Sequence, residues 1–237
     1  MTPKLTEPTT KELEACKRIS GPFSQFEESV VFEYLEPPAS LNATVLIRAT
    51  YANPDVHAIN KTGKKHPQSP PLHIHFDQWE SFLVARGKVC TTSTYRLTDA
   101  VHTQGDDVHH IAPWVPHSFY PCADAAEDTV MYVWAYPEAV PDPMDRLFFQ
   151  SLLGYLSDVH EKKSPMSVLQ IMVNQHASAS TAVIFPRAWW LGPLRWWVPW
   201  HIQGFLAALG RWYGYRGLIE NYVSPEEWEE YSHGKRS

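Results

Sequence analysis

Between Phe23 and Tyr136 one pattern recurs: SVVFEYL, ATVLIRATY, LHIHF, SFLVA, KVCTTSTYR, HSFYP and TVMYVWAY, each closed off by Pro, Gly, Asn or Asp. β-Branched and aromatic side chains suit a pleated, half-buried surface, and the residues between them supply turns. Seven short runs spaced in this way predict strands joined by turns and loops, a sandwich or barrel. A chain of 237 residues buries roughly three quarters of its unfolded surface, so it needs neither disulfides nor metal to hold a core.

After residue 140 the punctuation becomes helical. Asp142-Pro143 reads as an N-cap followed by proline at the first helical position, and Met144, Phe148, Leu152, Tyr155 and Val159 form a stripe at three- and four-residue spacing. Ser164-Pro165 repeats the start signal ahead of MSVLQIMVNQ, and Ser224-Pro225-Glu226-Glu227 is a capping box. At the other end, Thr9 and Glu12 cap a short helix. The expected organisation is an N-terminal arm (1–22), a β-barrel (23–140) and a helical, Trp-rich C-terminal extension (141–237). No internal repeat or low-complexity segment interrupts it.

Charge and cysteine usage narrow the function classes. The formal net charge is −6, with no basic run to track phosphates, so no nucleic-acid partner is expected. Cys16, Cys90 and Cys122 are odd in number, far apart and without a CxxC pair, which predicts idle thiols of a reducing compartment and no disulfide framework. The first twenty residues are charged throughout and lack the apolar core of a secretory signal, so a cytoplasmic location is expected. The sequons at Asn42 and Asn60 then read as chance matches. No GxGxxG, GxxxxGK[ST], HExxH or GxSxG motif is present, so oxidoreductase chemistry would have to use a metal.

Residues 70–87, PPLHIHFDQWESFLVARG, concentrate the candidate ligands. Side chains alternate along a strand, so His73 and His75 face the same way. Glu80 follows His75 by an odd interval, so FDQW must turn or bulge before Glu80, Phe82 and Val84 share one face of the next strand. Two imidazoles and a carboxylate converging there suit iron, manganese, zinc or nickel. A fourth ligand is expected from HHIAPWVPHSFYP, residues 109–121, where His117 begins a strand after a proline-bracketed turn. His109 and His110 are adjacent, so at most one looks inward.

The spacing His73-x-His75-x4-Glu80-x6-Gly87 resembles the first motif of the cupin superfamily, and IAPWVPHSF resembles its second. The resemblance covers about residues 60–136 and implies a mainly β fold, a single jelly-roll β-barrel. It also implies metal ligands His73, His75, Glu80 and His117 around a divalent metal, Fe(II) first and Mn, Zn or Ni as alternatives. Pro67 replaces a motif glycine, Ala112 a common proline and Pro121 a common asparagine. Trp114 stands where glycine is common, so either it takes a backbone conformation that glycine adopts more easily or the turn itself differs.

A small barrel with a long aromatic helical extension resembles the cupin-domain oxidoreductases of fungal polyketide pathways, the salicyl alcohol and salicylaldehyde type. The implied ligand is a hydrophobic small molecule, an aromatic alcohol or its pre-aromatic precursor. Phe82, Val84, Trp114, Phe119 and Trp134 are the expected pocket walls. A redox-neutral isomerase, dehydratase or cyclase, and a non-catalytic binding cupin, are the alternative readings.

Six of the ten tryptophans fall within residues 189–212, WWLGPLRWWVPWHIQGFLAALGRW. Pro193, Pro199, Arg195, His201 and Gln203 interrupt the segment, which disfavours a membrane span. Packing against the barrel or a second subunit, as in a homodimer, and peripheral membrane contact through Trp and Arg are the remaining expectations. In the packed arrangement the aromatic residues also roof a pocket.

Overall fold

The computed structural model describes residues 7–235; the start of the expected arm and the last two residues lie outside this range. A short helix α1 (Thr10–Glu14) carries the anticipated capping box of Thr9 and Glu12. The β region follows as β1 (Arg18–Gln25), β2 (Val30–Leu35), β3 (Val45–Tyr51), β4 (His73–His75), β5 (Trp79–Arg86) and β6 (Lys88–Ser93). It continues with β7 (Thr98–Thr103), β8 (His109–Ile111), β9 (His117–Pro121) and β10 (Thr129–Tyr136). The C-terminal portion holds α2 (Arg146–His160), α3 (Val168–His176), β11 (Ser180–Ala182), α4 (Leu194–Trp212) and α5 (Pro225–Glu230).

Two antiparallel sheets, ordered β1-β2-β3-β10-β5-β8 and β11-β4-β9-β6-β7, form the expected jelly-roll barrel, and the helical extension follows it. Their inner faces share one core: Phe32, Ile47, Val84 and Met131 from the six-stranded sheet meet Val89 and Phe119 from the five-stranded one. The outer face of the larger sheet buries a second cluster, in which Leu35, Leu46, Leu83 and Trp134 pack beneath Leu13 of α1. Strand alternation produces this split. Met131, Val133 and Ala135 of β10 look in, and Tyr132, Trp134 and Tyr136 look out.

Several expectations need correction. β1, β7, β8 and β11 have no counterpart among the seven predicted strands, and these four are the edges of the two sheets. β1 starts at Arg18, inside the stretch read as the arm, and β11 joins the sheet from the portion read as a helical extension. The N-cap of α2 is Asp145, not Asp142, because Met144 is pinned to the barrel by its N–H donating to Gln78 Oε1 at 2.6 Å. The N-cap of α3 is Ser167, not Ser164. There Tyr155 OH donates to Pro165 O and accepts from the Ser167 N–H, holding the segment extended. The box at Ser224 caps α5 as read.

Cys90 and Cys122, expected as separate thiols, are joined in a disulfide with Cα atoms 5.2 Å apart. The antiparallel pairing of β6 with β9 sets Cys90 opposite Tyr120, which delivers Cys122 alongside. Spacing along the chain carries no trace of that pairing, and the basis for expecting a reducing compartment is removed. Cys16 is free. Asn60 is fully buried and donates to the carbonyls of Ser29 and Ala52, so its sequon is structural in this fold.

Candidate metal centre

β4 is three residues long, yet it is held from both sides. Its register sets His73 opposite His117 of β9, and His73 and His75 opposite Ala182 and Ser180 of β11. β5 then brings Glu80 opposite Ala135 and Ile111, on the inward face it shares with Phe82 and Val84. The intervening Gln78 is buried and bonds Thr44 Oγ1 and the Pro137 carbonyl, which fixes the turn that shifts the parity between His75 and Glu80. Gly87 ends β5 at φ 71°, where a Cβ would stand 2.7 Å from Thr129 Oγ1. The motif glycine is thus required both by conformation and by space.

All four predicted ligands converge. One ligand atom each from His73, His75, Glu80 and His117 lies within 4.8 Å of the others, with His73 partly exposed and the other three buried. The three imidazole centroids are 4.3–4.8 Å apart. His73 Nδ1 lies 3.0 Å from Pro71 O and His117 Nδ1 lies 2.9 Å from Val115 O. A carbonyl oxygen only accepts, so each Nδ1 carries the hydrogen and each Nε2 is left as the ligand atom.

Electrostatics favour a cation here. Loss of hydration, with the neighbouring His117, pushes His73 down to about 3 and His75 well below the ordinary imidazole value, so both rings are neutral and have lone pairs to offer near pH 7. His117 Nε2 stands 2.9 Å from Glu80 Oε2 while its Nδ1 already donates elsewhere. Two acceptors approach that closely only with positive charge between them, from a shared metal ion or a proton. Three imidazoles and one carboxylate fit a divalent transition ion, and the same donor set accepts several of them.

Three of the residues expected as pocket walls lie together in the core of the inner face. Phe82 and Val84 are buried on the inner face, and Phe119 packs partly buried against them, two residues after His117. Trp114 sits beside the ligand strand instead. Its backbone has φ 69°, the glycine-like alternative of the two, and its N–H donates to His75 O at 2.9 Å. The exposed ring packs against Phe76 and against Trp196 of α4. Trp134 is a correction: it belongs to the outer cluster and lines nothing at the site, because β10 turns it away from Val133 and Ala135.

One inward residue was half-legible. His109, not His110, looks in, its ring 5.0 Å from Phe82 and 4.5 Å from His102. Burial, with His102 beside it, lowers His109 to about 4. His110 turns out to Ser81 Oγ and the Tyr136 hydroxyl. Sequence parity allowed either choice, and only the pairing of His109 with Phe82 decides it. The support that β11 gives β4 was missed altogether, since STA has no alternating pattern.

No protein-family model matches the chain. It is 31% identical over 161 residues to the oxidoreductase iacF of Pestalotiopsis fici, covering 67% of this chain and 73% of that one. With the probable oxidoreductase virH of Hypocrea virens it shares 28% identity over 196 residues, 79% of this chain and 84% of the other. The solved cupin domain of Schizosaccharomyces pombe Cnp3 overlaps 45% of this chain and 64% of its own, at 14% identity and a TM-score of 0.32.

Proposed function

The chain belongs to the family of fungal oxidoreductases that includes iacF of Pestalotiopsis fici, and on that premise we propose a metal-dependent cupin oxidoreductase acting on a hydrophobic, polyketide-derived aromatic alcohol or pre-aromatic intermediate of fungal secondary metabolism. The observation that carries the reading is the convergence of His73, His75, Glu80 and His117 within 4.8 Å. These residues would hold the ion, Fe(II) first among the candidates. When bound, such an ion supplies redox capacity and open positions for a substrate oxygen and an oxidant.

The chain's own residues prepare the ligand set and the space beside it. The carbonyls of Pro71 and Val115 lock the ring orientation of His73 and His117, so little reorganisation accompanies binding. Phe82, Val84 and Phe119 form an apolar wall next to the ligands, suited to an aromatic or alkyl group, and they keep water from it. His109, neutral at physiological pH, offers a hydrogen-bonding nitrogen beside Phe82 to a polar group of the same ligand. His73 marks the side from which solvent, and therefore substrate, reaches the cluster.

The test couples elemental analysis of the purified protein to oxygen uptake and product mass with candidate aromatic alcohols. Oxidation predicts a bound transition ion, oxygen consumption and a product lighter by two hydrogens or heavier by oxygen. A product of unchanged mass, or lighter by water, identifies the redox-neutral alternative, and an unaltered ligand the binding module. Full turnover in metal-stripped protein would overturn the proposal.

A further inference from the structure

We infer that the face formed by residues 184–197 and the outer stripe of α4 docks on an anionic phospholipid surface. The helix is amphipathic in an unusual sense. Its inner side buries Gln203, Ala207 and Gly210, whereas Leu194, Trp197, Phe205 and Trp212, at helical spacing, are exposed. Just before it, Trp189 and Trp190 are 78% and 71% exposed, more than any tryptophan of a packed core. Indole rings of this kind favour the boundary between headgroups and acyl chains. No helix among the described residues is long and apolar enough to cross a membrane, so the contact is with its surface.

Charge selects the occupant. Residues 184–212 contain no Asp or Glu but carry Arg187, Arg195 and Arg211, within a protein of net charge −6. Arg96, Arg187 and Arg195, with Tyr95, Pro186 and Trp189, line a surface cavity of about 530 Å³ that contains no carboxylate. The Arg195 guanidinium lies 3.8 Å from the Tyr95 ring centroid and donates to the carbonyls of Gly192 and Pro186, so it is held in place without losing its charge. A headgroup phosphate fits this cavity while the tryptophans beside it enter the interface.

A second copy of the chain fits less well. Twofold pairing of this face would oppose arginines to their own copies, and an acidic surface elsewhere would leave the tryptophans without an apolar partner. A bilayer bearing anionic lipids supplies both chemistries at once. The inference stands apart from the reaction read for the metal centre, and its test reads binding, not turnover.

The full chain is mixed with vesicles of phosphatidylcholine, with or without phosphatidylserine, and sedimented. Co-sedimentation with the anionic vesicles, a blue shift of tryptophan emission and weakening by salt are expected. Arg96→Ala and Arg187→Ala each reduce partitioning about fivefold, and Trp189→Ser with Trp190→Ser reduces it by more than tenfold, with unchanged circular dichroism. Three results would overturn the inference: no sedimentation with either vesicle, saturable binding of inorganic phosphate without vesicle binding, or a stable dimer by light scattering that the tryptophan substitutions dissolve.

Discussion

The ligand end of the barrel and the outer side of α4 are both crowded with aromatic and basic side chains, and they treat them in opposite ways. At the ligand end His75 and His117 are buried and His73 half-buried, the rings of His73 and His117 are oriented by backbone carbonyls, and apolar residues share the inner face with them. On α4 the rings of Trp197, Phe205 and Trp212 stand in solvent, as does Arg211. Burial makes a histidine a neutral ligand, whereas exposure leaves an arginine charged and a tryptophan free to bind something else. The two regions are nevertheless linked. Gln203 of α4 donates to Ser180 O at 2.8 Å, and Ser180 lies opposite His75 in the sheet.

The comparison breaks first at the ligands. His117→Ala is expected to remove metal from the purified protein and turnover with it, a loss of at least about a thousandfold, while Trp190→Ser leaves the metal content intact; elemental analysis of both variants decides. If His117→Ala retains stoichiometric metal, the cluster is not the site.

The next effect separates the two faces of β10. Trp134→Ala, in the outer cluster, should cost about 3–5 kcal/mol in urea unfolding without lowering the metal bound per folded molecule. A lost metal site at unchanged stability would return Trp134 to the pocket.

Acid sharpens the contrast further. His66 is buried against Ser29 Oγ, and burial with the nearby His160 lowers it from 6.5 to about 4. The unfolded chain therefore takes up the proton first as pH falls. Stability from this residue is intact above about pH 6.5 and declines progressively to about pH 4, by up to about 3 kcal/mol. Unfolding midpoints measured with chelator present should follow that slope, and His66→Gln should flatten it.

The link itself carries a smaller term. Gln203→Leu should cost about 1–2 kcal/mol, since it leaves the Ser180 carbonyl without its donor, and should weaken metal retention against a chelator severalfold. Retention identical to wild type would mean that β11 does not steady β4. Smallest of all, Trp190→Ser should change stability by less than about 0.5 kcal/mol in the absence of vesicles, because its ring is exposed.

How legible the molecule was depends on position in the sheets. The seven strands visible in the sequence are all interior, each paired on both sides, and the four missed ones are the edges β1, β7, β8 and β11. An interior strand is selected for apolar, branched side chains along its length. An edge strand such as β7, reading TDAVHT, is mostly exposed and owes its conformation to one neighbour. The same logic applies at the site. The spacing of His73, His75, Glu80 and Gly87 is local and survives in the sequence, whereas the choice of His109 over His110 and the exclusion of Trp134 depend on which neighbour each strand meets.

By itself the sequence determined the strand-rich β region, the grouping of His73, His75 and Glu80, and the caps at Thr9 and Ser224, because each is written within a few residues in the periodicity of side chains or the needs of one helix start, whereas His117 was reached through the family motif and meets His73 through the pairing of β4 with β9. Only the tertiary structure decided the disulfide of Cys90 with Cys122, the helix starts at Asp145 and Ser167, the buttressing of β4 by β11, and which tryptophans of residues 189–212 face the barrel and which face out. Those depend on contacts between segments far apart in the chain, and no local pattern encodes which distant strand or side chain arrives to make them.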